Sequence, residues 1–174
     1  MLRPVDLVFE HDPRGETFTR ITREDGVVLG LPSYSRKFRV PHDLAHAAVE
    51  RSLGLPGGIF GCIAAGGVFD NMSVLQGKPR HDARERSRRV LKAASGSIAV
   101  AESLVGVLHH AVEHRRRPPF AAAREAWGVI RAEPYPFGDA DIRGAVELLA
   151  ELVDVWSRQA EPLEFRWPSR LRAG

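Results

Sequence analysis

Cysteine is almost absent: Cys62 is the one thiol among 174 residues. That excludes an internal disulfide framework and any zinc site built from several thiolates. No uninterrupted apolar run approaches the ~20 residues that a membrane span needs. Met1 to Glu10 lacks the basic start, apolar stretch and cleavage site of a signal peptide. There is no internal repeat and no low-complexity tract. Lysine is scarce too, at 37, 78 and 92 only, so 22 of the 25 cations are arginine. What is present, 44% hydrophobic and 27% charged residues, is the composition of a globular chain rather than a disordered one. The expectation is one cytoplasmic domain spanning 1–174 with no membrane partner.

A net charge of +3 does not by itself call for nucleic acid. Arg84 to Arg89 contains Glu85 and follows Asp82, which reads as a mixed-charge helical face. Arg115 to Arg117 precedes Pro118 and Pro119, where cations meet the negative end of a helix. Solvated faces and a helix cap account for both clusters, and nucleic acid is not the expected partner.

The hydrophobic period divides the chain. Val5, Leu7 and Phe9 alternate with polar residues, Glu16 to Arg23 is rich in Thr, Phe and Ile, and Glu24-Asp25-Gly26 turns into Val27-Val28-Leu29. Lys37 to Val40 alternates again. Residues 1–40 are therefore expected to form three or four antiparallel strands. At Pro41 the period becomes helical, and His42 to Leu53 runs without a breaker to Gly54. Asp43, Ala47, Glu50 and Arg51 fall on the outer side of that helix. The glycines from 57 to 67 interrupt the pattern, and Gly77 to Pro79 reads as a loop. A long helix is expected from Asp82 to Arg117, with a possible break at Ser95-Gly96-Ser97. An Ala-rich segment holding Trp127 follows, then a strongly striped helix capped by Asp139 or Asp141. Leu163 to Trp167 alternates and can return to the sheet. The fold class is α+β: an N-terminal antiparallel sheet, three to four helices packed on it over 41–160, and a returning strand in 161–174.

The chemistry concentrates in Val40-Pro41-His42-Asp43-Leu44-Ala45-His46. Two histidines four apart on a helix lie one turn from each other on the same face. A single Zn²⁺ ion takes two imidazole nitrogens in that arrangement. The five residues resemble the H-E-x-x-H helix of zincin metallopeptidases, with Asp43 where that motif has Glu. The resemblance implies His42 and His46 as zinc ligands and Asp43 at the general-base position. Asp is one methylene shorter than Glu, so its oxygens fall roughly 1.5 Å short of the usual place. Asp43 then either reaches water through a backbone adjustment or supports a ligand instead. His-Asp-Leu-Ala-His, the Gly57 to Gly67 stretch and Leu-Glu-Phe-Arg-Trp-Pro also resemble a group of bacterial proteins, a likeness that brings no activity with it.

Glu102 is the leading third ligand, as the one charged residue between Lys92 and His109. A carboxylate buried in so apolar a run calls for a cation or a metal. In those zincins whose third ligand is Glu, it comes from a downstream helix, as Glu102 would. The bland alternative is a wet polar stripe of Glu102, His109 and Glu113. Glu50 lies on the histidine side, but the ~12 Å rise from 42 to 50 is too long for one ion. Its expected role is to fix His46 or to pair with an arginine. His109, His110 and His114 remain open as contributors. His11-Asp12 and His81-Asp82 are weaker signals. The glycine-rich stretch lacks a P-loop ending, Cys62 reads as an inert core thiol, and the tryptophans read as core anchors. The function these signals favour is a zinc-dependent hydrolase of amide or ester bonds, acting on a peptide or small molecule. A non-catalytic peptide-binding module is the alternative.

Overall fold

The structure, a computed structural model, describes residues 5–12, 17–33 and 37–174. Three strands open the chain: β1 (Val5–His11), β2 (Thr17–Thr22) and β3 (Val28–Ser33). Two more complete an antiparallel sheet, β4 (Ser73–Gln76) and β5 (Leu163–Trp167), in the order β4-β3-β2-β1-β5. The expected start of β2 at Glu16 lies outside the described residues. Alternation sets the register: Leu7 stands opposite Ile21 on one side and Phe165 on the other, and all three are buried. A one-residue slip would turn that whole apolar row to solvent, so burial and pairing specify the same alignment.

Six helices follow: α1 (His42–Leu53), α2 (Ile59–Ala64), α3 (Ala83–Ala93), α4 (Ser95–Glu113), α5 (Phe120–Ile130) and α6 (Asp139–Arg158). The count exceeds the three to four expected, for two reasons. The run from Asp82 to Arg117 is broken at Ala94, where α3 and α4 meet at a 64° bend. A short helix, α2, also forms inside the glycine-rich stretch. No single described helix is long and apolar enough to cross a membrane.

α1 starts after Pro41, whose carbonyl accepts the Ala45 N–H. It ends at Gly54, in the left-handed region (φ 65). There the Leu55 N–H reaches back to the Glu50 carbonyl and the Gly54 N–H to that of Arg51, which satisfies the last turn. α1 packs against α4, α6 and β5 together. It is consequently buried from Leu44 through Glu50 without a break. This corrects the expected outer side of the helix, since Ala47 and Glu50 are fully buried.

One further expectation changes and another is narrowed. Lys37 to Val40 is not a strand. Its backbone is claimed by α4: Glu113 accepts the Arg39 and Val40 N–H groups at 3.0 and 2.8 Å, and His109 Nε2–H donates to the Val40 carbonyl at 2.9 Å. With the Arg39 guanidinium on the Val112 carbonyl at 2.7 Å, these bonds clamp the entrance of α1 to the end of α4. The last helix begins after Gly138, whose N–H is held by Asp141 at 2.8 Å, so Asp141 rather than Asp139 serves the cap.

Candidate metal centre

The clamp sets the position of α1 against α4, and between them lies a cluster of three side chains. His42 and His46 project one turn apart from α1, with Nε2 atoms 3.1 Å from each other. Glu102 on α4 brings Oε2 to 3.3 Å from His46 Nε2 and 3.7 Å from His42 Nε2. Ligands ~2.0–2.2 Å from a tetrahedral ion stand ~3.3–3.6 Å from one another, so the three atoms form a triangle of the right size. Among the described residues this is the group of His, Cys, Asp and Glu atoms that converges closely enough to hold a metal.

The deeper half of the cluster explains why His46 points as it does. His46 is buried, and its Nδ1–H donates to Glu50 Oε1 at 2.8 Å. Glu50, with no solvent exposure, also accepts the Ile59 N–H on Oε1 at 2.8 Å and the Phe60 N–H on Oε2 at 3.1 Å. Because a carboxylate only accepts, the proton sits on Nδ1 and the Nε2 lone pair faces His42 and Glu102. Three atoms that could each bind a metal then converge, and either a proton on an imidazole Nε2 or a metal ion would relieve their repulsion. Burial opposes a charge on His46, but the Glu102 and Glu50 carboxylates more than offset it and push its imidazole up to about 9. Hydrogen bonds from His42 and His46 hold Glu102 well below the usual carboxylate range, against the opposing effect of its partial burial.

Gly58 makes this support possible. A Cβ at that position would collide with the Glu50 carboxylate. Gly58→Ala is therefore expected to displace Glu50 and cost about 1–3 kcal/mol of stability, read by chemical denaturation. An unchanged midpoint would show that the carboxylate has room to move.

The expected site residues come together in part as the sequence suggests. His42, His46 and Glu102 meet; Glu50 lies behind His46, as a positioning group and not a ligand to the same point. Glu102 differs in setting: its side chain is 48% exposed and His42 is 44% exposed, so the cluster opens to solvent on one side. Asp43, expected to lean outward, instead has Oδ2 out of contact with water and without a hydrogen-bond partner. Burial pushes its carboxyl up to about 6, against the pull of His46 and His42, with the Glu102 charge adding to the rise. The expected wet stripe on α4 is wet only at Glu102: His109 is buried against Val40, and Glu113 binds backbone. His110 and His114 meet edge to face at the surface. His11 stacks on Trp156 with ring centroids 3.6 Å apart.

Cys62 is fully buried, with its S–H directed at the Gly57 carbonyl at 3.7 Å. Burial, with the Glu50 charge adding to it, pushes the thiol up to about 12. A thiol reagent at pH 8 is expected to leave Cys62 untouched in the native protein and to modify it once the chain is unfolded. Fast labelling of the native protein would contradict the packing described around α2.

Two residues that build this centre entered the sequence reading without these roles, Gly58 only within the glycine-rich stretch and Glu113 only within a polar stripe. Each acts on backbone or on a distant element, and no local motif marks either. No protein-family model matches the chain, and neither the curated proteins nor the solved structures searched contain a similar one.

Proposed function

We propose that His42, His46 and Glu102 bind Zn²⁺ and that the protein is a cytoplasmic, zincin-like hydrolase of amide or ester bonds. The observation that carries the reading is the triangle of two imidazole nitrogens and one carboxylate oxygen, 3.1, 3.3 and 3.7 Å on its edges. Two neutral histidines and one carboxylate are a zinc donor set that leaves a fourth position open, as a catalytic site requires. A zinc ion held there would supply Lewis acidity, polarising a carbonyl and making water acidic near neutral pH.

The chain's own residues supply the rest. Glu50 fixes the His46 tautomer, and Glu102 brings the negative charge that offsets part of the cation's. The half-open face beside His42 and Glu102 admits a carbonyl. Hydrolysis joins the oxygen of water to the carbonyl carbon and breaks the C–N or C–O bond, with a proton passing to the departing atom. Asp43, whose Oδ2 has no hydrogen-bond partner, would relay that proton.

Metal analysis and zinc titration of the purified protein test the proposal. One equivalent of zinc is expected, with binding lost in His42→Ala and in His46→Ala and weakened in Glu102→Ala. Zinc bound equally well by both histidine variants would overturn it.

A further inference from the structure

The end of α4 carries cations that its own capping does not use. The expectation was that Arg115 to Arg117 serve the helix terminus. Yet the side chain on the last carbonyls is Arg39, 2.7 Å from the Val112 oxygen. The Arg115 and Arg116 N–H groups return to Val112 and Ala111, so the terminus is closed by backbone. No ion pair between described residues involves Arg116 or Arg117, and both are exposed.

Arg116 and Arg117 line one end of a groove between α4 and α5, about 580 Å³ in volume, and Glu102 lines the other. The same carboxylate therefore belongs to the metal centre and to the groove mouth. Between the ends the walls are Val107, Ala111, Pro119 and Ala122, with only Ser103 and His110 offering polar atoms. Helix α4 rises ~12–16 Å from Glu102 to the level of the arginines. An extended peptide laid there would present an N–H or C=O to apolar walls at nearly every residue, each costly to leave unpaired. A straight hydrocarbon chain has no such groups, and a carboxylate at its end matches the planar, two-pronged donors of arginine.

We infer that the α4–α5 groove binds a linear aliphatic carboxylate, its acid on Arg116 and Arg117 and its chain running toward Glu102. This rests on the reading of His42, His46 and Glu102 as a metal centre only in what it adds to it. The substrate becomes an ester or amide whose apolar chain ends in a carboxylate, with the reacting carbonyl at the Glu102 end.

Dodecanoate, whose extended chain matches the groove in length, is the probe, with binding measured by calorimetry on zinc-free and zinc-treated protein. It is expected to bind both forms, and to bind at least ~10-fold more weakly to the Arg116→Glu, Arg117→Glu double variant, as the loss of charge-assisted hydrogen bonds implies. Gly106→Leu gives a second arm. A Cβ at Gly106 meets open space, and the residue lines the groove. This substitution raises helix propensity, so it should keep the thermal midpoint and still block dodecanoate by a similar factor. Dodecanedioate should bind more tightly with zinc than without it.

Equal dodecanoate affinity in the charge-reversed variant would overturn the inference, as would penta-alanine acid binding as well as dodecanoate. Dodecanoate binding with no zinc uptake would support the groove and reject the metal centre; zinc uptake without dodecanoate binding would do the reverse.

Discussion

Glu50→Ala is expected to cost about 3–5 kcal/mol of folding stability, the largest effect of any single side-chain removal at this site. The carboxylate is acceptor to the His46 ring and to two backbone N–H groups at the start of α2, all in a region closed to water. Truncation leaves three donors unpaired at once, and each unsatisfied buried group costs ~1–3 kcal/mol. A small cavity adds to the loss. Glu50→Gln is the informative companion, because it keeps the volume and one acceptor oxygen while placing an NH₂ group against a donor. It should fold, with zinc affinity lower by roughly 10–100-fold through the freed His46 ring. Chemical denaturation of Glu50→Ala and zinc titration of Glu50→Gln measure the two effects. A Gln variant that binds zinc like the parent would remove Glu50 from any role in positioning His46.

The second large effect is expected at Asp43, and its two readouts move in opposite directions. Asp43→Asn should abolish turnover, a loss of roughly 10²–10⁴-fold for a missing general base. Zinc affinity should stay nearly unchanged. Stability should rise: a carboxylate with one oxygen buried and unpartnered costs ~1–3 kcal/mol, whereas its favourable place in the first turn of α1 returns only ~0.3–1 kcal/mol. A net gain of about 1 kcal/mol is the expected result, measured by thermal or chemical unfolding of the metal-free protein. If zinc affinity falls instead, by roughly 10–100-fold, Asp43 supports a ligand and is not the base. Such opposed movement of stability and activity is what a group retained for chemistry shows.

The sheet was legible because its code is short-range. Val5, Leu7 and Phe9, like Leu163, Phe165 and Trp167, alternate over a half-buried surface, and that period survives without knowledge of the rest of the chain. β4 was not legible: Ser73 to Gln76 is a four-residue edge strand exposed along its length, so no buried face imposes a pattern on it. Lys37 to Val40 has the alternation of a strand, but the Arg39 and Val40 N–H groups bond to Glu113, 74 and 73 residues away, a contact that periodicity cannot reveal. The histidine pair and Glu102 stood out by spacing and by isolation in an apolar run. The positions of Asp43 and Glu50 did not, because a helical wheel assumes one wet side and α1 is packed on nearly all of its surface. Glu102 carries the converse lesson. It was singled out on the supposition of burial, and it stands half in solvent, held by the two imidazoles it faces.

The double tie between α1 and α4 has a thermodynamic consequence. Glu113 and His109 fix Val40 at the entry of α1, while Glu102 meets the histidines further along the same pair of helices. The spacing of the donor atoms is thus pre-organised by helix packing, and an incoming ion has little chain left to order. Small zinc modules collapse without their metal because the ion itself brings the ligands together. Here an extensive core formed by the sheet and helices carries the fold, so under the zinc proposal a metal would act only by mass action on a finished site. Its contribution should therefore grow smoothly with free ion concentration, reaching ~2.7 kcal/mol at a hundred times the dissociation constant. If the proposed zinc is bound, a chelator should lower the melting temperature of this protein without unfolding it.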